Sequence, residues 1–379
     1  MKLNVCHFSS VHNITDTRVF YRECVSMALH FQVTLIAIGE FTGKKNGVNI
    51  IGIPNPKNHL QRAFKTIFKV FALAIKQDAD IYHIHDAEML PFGLILSILG
   101  KKVIYDIHEN TKQDILLKPW IPAKRKAFIA GLYNQLLKFS SNFVHYIPVV
   151  ANDDFLPIFH VKENQFTVIQ NFADTAQMNN YKVLERSILP GNHIFYIGMI
   201  KDMYYDINQL IDALLILKNQ GNTYYLHCVG YFGSRTDKGF ESNPNYELVK
   251  NQIHFYGFLD IDTAYKISMQ CKIGICLKNQ PESMLVSHER KFFEYIAIAL
   301  PSIFCNSKIY TDVLEKYPVG IAVNLKNASE IANAIEKLFT NNEFYNKCII
   351  ACEKATNETF NWQSQSIKLQ NLYNNILYK

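Results

Sequence analysis

Two series of short β-branched and aromatic runs, each alternating with longer stretches of helical periodicity, constrain this chain more than any other feature. The first series runs through Leu3 to Phe8, Val33 to Ile38, Asp80 to Ile84, Val103 to Ile107 and Phe143 to Ile147. The second runs through Ile194 to Ile197, Tyr224 to Val229, Ile253 to Tyr256, Ile273 to Leu277, Ser302 to Cys305 and Val319 to Val323. Helical patterns fill the intervals. One starts at Thr15 or Asp16 and puts Phe20, Cys24, Met27 and Ala28 on one face; others follow Glu88, run from Asp206 to Lys218, start at Asp262, cross Phe292 to Ala299, and start at Ala328. Alternation of this kind builds a parallel sheet with helices on both faces. Because 379 residues exceed what one core supports, the expected architecture is two doubly wound α/β domains in tandem.

The apolar rhythm breaks at Asn171-Phe172-Ala173-Asp174, and a polar stretch continues to Pro190-Gly191. This reads as a linker between an N-terminal domain over 1–175 and a C-terminal domain over 190–359. The tail from Gln363 to Tyr378 carries Leu369, Leu372, Tyr373, Ile376 and Leu377 at helical spacing, so it needs a surface to pack on.

Apolar residues make up 49% of the chain and charged residues 19%, which suits packed domains and not disorder. No apolar run is long enough to span a bilayer, and Lys2-Leu3-Asn4-Val5-Cys6 lacks the layout of a signal peptide. The expected location is therefore the cytoplasm. The eight cysteines never take Cys-x-x-Cys spacing, so reduced, buried thiols are expected rather than a zinc or redox site. Residues 1–170 hold 19 Lys+Arg against 13 Asp+Glu, which is the whole of the net +6. Lys57, Arg62, Lys65 and Lys69 form one basic cluster, and Lys118, Lys124, Arg125 and Lys126 another. Leu116, Leu117, Trp120, Phe128 and Ile129 interleave the second cluster, a mixture that suits an anionic membrane surface as well as a solvated helix face. A nucleic-acid partner is not expected.

Neither series opens with Gly-x-Gly-x-x-Gly, and no P-loop motif occurs, so dinucleotide redox chemistry and P-loop phosphoryl transfer lose ground. Ligands of open α/β sheets bind beyond the carboxyl ends of strands. The densest polar segment in such a place is Ser287-His288-Glu289-Arg290-Lys291-Phe292-Phe293-Glu294-Tyr295. A helix starting near Glu289 would offer amides, with Arg290 and Lys291, to a diphosphate. Lys291 and Glu294 are three apart on one helix face, either as a surface ion pair or as a phosphate holder beside an acceptor for ribose hydroxyls. Glu289 reads as a solvated carboxylate or as a contributor to sugar recognition.

The block Lys291-Phe292-Phe293-Glu294-Tyr295-Ile296-Ala297, closed by Leu300-Pro301, resembles the Lys-Leu-Phe-Glu-Tyr-Met-Ala…Gly-Leu-Pro block of family-4 retaining glycosyltransferases with the GT-B fold. The likeness extends along nearly the whole chain. His12…Asp16-Thr17-Arg18-Val19-Phe20-Tyr21-Arg22-Glu23 is similar to the family's first loop and helix, and His83-Ile84-His85-Asp86 and Tyr105-Asp106-Ile107-His108-Glu109 resemble two of its strand-end motifs. Asn171-Phe172, Tyr196-Ile197-Gly198, Phe255-Tyr256-Gly257-Phe258 and the tail after Trp362 follow in the family's order. The resemblance implies two Rossmann-like domains facing a cleft, with a C-terminal helix over 360–379 returning to the N-terminal domain. It implies transfer of a sugar from a nucleoside-diphosphate-sugar to a glycan or lipid-linked acceptor in surface polysaccharide assembly. No metal and no separate cofactor are implied.

Roles carried over with the resemblance put Lys291 and Arg290 at the donor phosphates, Glu294 at the ribose, Ser287 and Gly198 near phosphate or sugar, and Gly257-Phe258 at the base. His108 is implied beside the reacting sugar, and His12, Asp16, Arg18, His85 and Asp86 on the acceptor side. The chain departs from the pattern in two places. Val286 stands where many members have a Glu, and the loop Met199-Ile200-Lys201-Asp202-Met203-Tyr204-Tyr205-Asp206 offers only Lys201 to the leaving diphosphate. One lost preorganised charge on an oxyanion costs about 2.7–4 kcal/mol. A nucleotide-sugar epimerase of the same fold and a catalytically weak scaffold subunit are the rival expectations.

Overall fold

The computed structural model describes residues 2–108, 110–118, 121–150, 153–159, 165–182, 191–202, 205–232, 239–278 and 287–378, with backbone alone at 59, 153–155, 201–202 and 205–206. The chain divides into two compact units, Met1–Asn171 with Trp362–Lys379, and Phe172–Asn361.

The first unit is built on strands β1 (Asn4–Asn13), β2 (Gln32–Ile38), β3 (Gly43–Lys45), β4 (Val48–Ile53), β5 (Ile81–Ile84), β6 (Lys102–Ile107) and β7 (His145–Pro148). They form one sheet in the order β3-β4-β2-β1-β5-β6-β7. All pairs are parallel except β3 with β4, a hairpin turning at Asn46-Gly47, where both residues have positive φ. The runs read as buried strands are Val, Ile, Leu and aromatic on both faces, as a doubly covered sheet requires. Chain order reverses at β1, which pairs with β2 on one side and β5 on the other, so ligands are expected beyond its carboxyl end.

On one face of this sheet lie the helices Ile67–Ile75, Leu90–Ile98 and Ala123–Ser140, packed over Phe8, Tyr82, Ile84, Val103 and Tyr105. On the other lie the segment from Thr17 to Ala28 and the helix Trp362–Leu377, which buries Trp362, Leu369, Leu372 and Tyr373 against Val5, Val33, Phe31 and Met27. The amphipathic tail thus finds its surface in the first unit. Trp362 Nε1 also donates to Ser26 Oγ at 2.8 Å.

The second unit repeats the plan with β8 (Asn192–Asp202), β9 (Tyr205–Asp206), β10 (Tyr224–Phe232), β11 (Ile253–Gly257), β12 (Ile273–Ile275), β13 (Ser302–Cys305) and β14 (Gly320–Val323). The order is β11-β10-β8-β12-β13-β14, with β9 a short antiparallel partner of β8. Here β8 is the strand of reversal. All eight cysteines are free and buried. No helix among the described residues is long and apolar enough to cross a membrane.

Candidate functional site

In the first unit, the polar residues predicted at strand ends converge beyond the carboxyl ends of β1, β5 and β6. Asp86, just past β5, accepts from Ser9 Oγ at 2.9 Å, Ser10 N at 2.5 Å and Ser10 Oγ at 3.1 Å, tying the end of β1 to that of β5. Asp16 caps the next helical segment by accepting from the amides of Arg18 and Val19, both at 2.8 Å, as an N-cap aspartate does. That segment, Thr17–Cys24, is π-helical and continues as an α-helix over Val25–Ala28. Wide turns of this type are uncommon and recur at functional sites.

His12 lies between the acids. Its Nδ1 is 3.2 Å from Asp16 Oδ2 and its Nε2 3.7 Å from Asp86 Oδ1. Burial pulls the imidazole down, but the bond to Asp16 and the charges of Asp86, Asp16 and Asp106 outweigh it, and the net shift is upward. His12 rests against His108, ring centroids 4.7 Å apart. His12, Asp16 and His108 are the members of this group with partly exposed side chains.

Arg18, expected on the acceptor side, turns inward instead. Its Nε and Nη2 donate to the two oxygens of Asp106 at 2.8 Å each, and Nη2 also donates to the Ile169 carbonyl at 3.2 Å. Its physical reason is charge: Asp106 is fully buried on β6 and needs a cation there. Burial works against that carboxylate, but Arg18, His108 and His85 hold it well below the usual range. His108 Nε2 lies 2.7 Å from Asp106 Oδ2, and His85 Nδ1 3.4 Å from the same oxygen. His85 is buried and held down to about 4, chiefly by burial.

Beneath these residues is a layer that sequence reasoning did not assemble: His7, His83, Glu23 and Tyr373, all fully buried. Tyr373 Oη is 2.7 Å from His83 Nδ1 and 3.0 Å from His7 Nε2, and His7 Nδ1 is 3.0 Å from His85 Nε2. The available signal was alternation, since residues two apart on a strand share a face and His83 and His85 are such a pair. Among the described residues, two groups bring metal-type ligand atoms within 4.8 Å of one another, namely His7, Glu23, His83 and His85, and then His85, Asp106 and His108. In the first of these, Arg18 Nε stands 3.0 Å from Glu23 Oε1.

In the second unit, the helix Arg290–Ala297 follows Glu289, which occupies the N-cap position. It ends in a Schellman arrangement, Leu300 N donating to Tyr295 O at 2.8 Å and Ala299 N to Ile296 O at 3.0 Å. Ala299 takes the left-handed conformation, φ 53°, that usually falls to glycine.

Lys291 reaches Tyr196 on β8. Its Nζ donates to Tyr196 Oη at 3.3 Å, lies 4.3 Å from the centre of that ring, and is 3.3 Å from Glu289 Oε1. Tyr196 Oη in turn donates to the Met199 carbonyl. Gly198 makes room for this: a Cβ there would come 2.8 Å from Lys291 Nζ, and its φ of +130° disfavours side chains as well. Lys291 and Glu294, three apart on one helix face, have different charge partners. Lys291 is drawn to the Tyr196 ring and Glu289, while Glu294 accepts from Tyr265 Oη at 2.5 Å and lies 3.2 Å from Arg290 Nε.

Glu289 is not a solvated carboxylate. It is buried, and neither oxygen accepts a hydrogen bond, leaving the Lys291 ammonium as its charge partner. Ser287 is half-buried. His288 stacks on Phe292 and places Nε2 2.8 Å from the Ile309 carbonyl. Gly257 closes β11 at φ +69°, and Phe258 beyond it is 79% exposed. Trp120, Glu109, Val286, Met203 and Tyr204 lie outside the described residues, as does the side chain of Lys201.

Residues 186–355, nearly all of the second unit, match the family model Glycosyl transferases group 1. The whole chain superposes on a sucrose-phosphate synthase from Thermosynechococcus elongatus with a TM-score of 0.74, at 14% identity and 100% of both chains. It also superposes on Anabaena HepE in complex with UDP, TM-score 0.70, at 14% identity over 99% of this chain and 100% of that one. This is the GT-B fold. A glycosyltransferase from Rickettsia africae shares it as well, with a TM-score of 0.70 at 16% identity over 99% of each chain. None of the curated proteins matches the sequence of this GT-B chain at a significant level. In its second unit, Gly198, Lys291, Arg290 and Glu294 all fall inside the matched stretch.

Proposed function

We propose that this protein is a retaining glycosyltransferase of family 4 that moves a hexose from a nucleoside-diphosphate-sugar to a glycan or lipid-linked glycan acceptor in surface polysaccharide assembly. The observation that carries this reading is the Tyr196–Gly198–Lys291 constellation on β8, within the stretch that matches the glycosyltransferase model. A buried ammonium on an aromatic ring, reached across a glycine that keeps the backbone open, is a phosphate-holding arrangement. Solved structures of the same fold carry UDP and UDP-glucose, so UDP-sugars are the first donors to test.

In this reading Lys291, with Arg290 and Lys201, takes the charge that develops on the departing diphosphate. The bond from the anomeric carbon to the phosphate oxygen breaks, the acceptor oxygen bonds to that carbon on the same face, and the acceptor's proton passes to the departing phosphate. No metal enters these steps. Gly257 and Phe258 take the base, and Glu294, Ser287 and Glu289 serve ribose and sugar. In the first unit His12, Asp16 and His108 are the groups open to an acceptor, held from behind by Asp86, His85, Asp106 and Arg18. Nucleoside diphosphate release, measured with and without a lipid-linked glycan, tests the reading. Acceptor-dependent release supports transfer, and absence of both release and donor binding removes it.

A specific observation favours docking on an anionic membrane. In the first unit Leu60, Phe64, Phe68, Ile95, Ile98, Leu99, Phe128, Leu132 and Phe139 are exposed, on the helices Ile67–Ile75, Leu90–Ile98 and Ala123–Ser140 and the residues next to them in sequence. Contacts join the neighbouring segments here: Phe68 packs on Phe92 at 5.4 Å, Ser97 Oγ donates to the Phe143 carbonyl at 2.7 Å, and Phe139 packs on Phe143 at 5.4 Å. In the same sequence segments Lys57, Lys65, Lys69, Lys124 and Arg125 are exposed, with Lys118 and Lys126 half-buried. Apolar area bordered by cations is what an anionic interface binds. Co-sedimentation with anionic liposomes, comparing the wild type with a variant neutralised at Lys124, Arg125 and Lys126, tests it; equal sedimentation removes this patch.

A further inference from the structure

Both carboxylate oxygens of Glu23 and the Nε2 atom of His83 are fully buried and make no hydrogen bond. Buried polar atoms are nearly always paired, and those without a partner mark the place of a water or an ion. A carboxylate is costly to bury in this way. Arg18 does not satisfy it. The guanidinium spends Nε and Nη2 on the two oxygens of Asp106 at 2.8 Å each, and Nε stands 3.0 Å from Glu23 Oε1 without hydrogen-bond geometry.

The unpaired atoms come together, His83 Nε2 lying 3.9 Å from Glu23 Oε2. Two further imidazoles meet in the same layer, with His7 Nδ1 and His85 Nε2 3.0 Å apart. One ligand atom from each of His7, Glu23, His83 and His85 lies within 4.8 Å of the other three. A tetrahedral ion with bonds of about 2.0–2.1 Å holds its ligand atoms about 3.4 Å from one another. The separations of 3.0 and 3.9 Å fall on either side of that value.

The far sides of the three rings are also arranged for a metal. His83 Nδ1 and His7 Nε2 lie 2.7 and 3.0 Å from Tyr373 Oη, and His85 Nδ1 lies 3.4 Å from Asp106 Oδ2. Each imidazole thus has an oxygen beside its second nitrogen, as metal-bound histidines almost always do.

We propose that His7, His83, His85 and Glu23 form a binding site for one divalent transition ion of the zinc type. Three imidazoles and one carboxylate are a zinc set, whereas calcium and magnesium take oxygen ligands. Four protein ligands, all fully buried, make a closed structural site without an open position for substrate. The ion ties β1 and the end of β5 to the π-helical segment Thr17–Cys24. Tyr373 closes over two of the rings from the C-terminal helix, so metal loading and docking of that helix are coupled. No step of the transfer is assigned to the ion, and the site does not depend on the transferase reading.

The test is metal analysis of the full-length protein freed of any histidine tag. About one zinc per chain is expected by plasma mass spectrometry. Protein unfolded with a chelator, desalted and refolded with one equivalent of Zn²⁺ is expected to melt about 5 °C or more above protein refolded without it. Co²⁺ in place of Zn²⁺ is expected to give the intense visible bands of a four-coordinate site. Glu23→Gln and His83→Ala are expected to lose the ion, and Tyr373→Phe, which keeps every ligand, to bind it about 10- to 100-fold more weakly. His108→Ala is expected to keep it. Absence of metal from both purified and refolded wild type, with equal melting, overturns the proposal and leaves a buried water at the unpaired atoms. Metal retained in both Glu23→Gln and His83→Ala, or lost from His108→Ala alone, overturns it too, because the ion then sits elsewhere.

Discussion

Lys291→Met separates what the lysine does for the fold from what it does for the ligand. The substitution keeps the stem and removes the ammonium, leaving Glu289 buried with no hydrogen bond to either oxygen. At 3.3 Å, in an effective dielectric of about 20, the pair attracts by about 5 kcal/mol before desolvation is subtracted. Breaking one side of such a buried pair costs about 3 kcal/mol, because the remaining charge is left without compensation. Glu289→Gln removes the other side at about 1 kcal/mol, since the lysine keeps Tyr196. The double variant should be no worse than Lys291→Met alone, so the singles are strongly coupled. Urea unfolding followed by circular dichroism gives the four stabilities. Nucleotide titration should show the opposite signs, Lys291→Met weakening a nucleoside diphosphate and Glu289→Gln tightening it by removing a like charge. Stability losses that add within about 0.5 kcal/mol would mean the two residues do not interact, and the account of Lys291 as a neutralised, phosphate-ready cation would fall.

Gly198→Ala should push the Lys291 ammonium off Tyr196, weakening nucleotide binding by about 1 kcal/mol, roughly fivefold, in calorimetric titration. Ala299→Gly should raise stability by about 1 kcal/mol in urea unfolding, because it relieves a left-handed alanine at the helix end. Stability should also fall as pH drops from about 6.5 toward 4. His85 and His288 are held down to about 4, chiefly by burial, so in that window the unfolded chain binds the protons that the folded one refuses. Each contributes a slope of about 1.4 kcal/mol per pH unit, read from denaturation series at pH 7, 6 and 5.

The sequence made the sheets legible because their strands are both-face apolar runs, as in Val33 to Ile38 and Ile194 to Ile197. The hairpin Gly43–Ile53 escaped notice: its Gly, Lys and Asn punctuation reads as loop, and its pairing is set by the neighbouring β2. The helix Ala123–Ser140 was legible only in part, as a solvated helix face around Lys124 to Ile129, since Phe128, Leu132 and Phe139 are exposed and blur its apolar stripe. At the site, strand-end residues such as Asp86, His108 and Gly198 were legible from position alone. Partners were not. Spacing on one helix suggested Lys291 with Glu294, but side chains from β8 and from the helix Ile261–Ser268 divide the two between Tyr196 and Tyr265. Nor does any local pattern join His7 to Tyr373.

Those two residues are 366 positions apart and in direct hydrogen-bond contact. During synthesis the first unit therefore waits, with Met27, Phe31 and Val33 lacking their cover, while all of the second unit is made and released from the ribosome. Its core closes only when the segment carrying Trp362 and Tyr373 emerges. A nonsense codon or proteolytic nick just after Asn361 would accordingly spare the second unit and expose the first one's interior, marking truncated chains for chaperone capture.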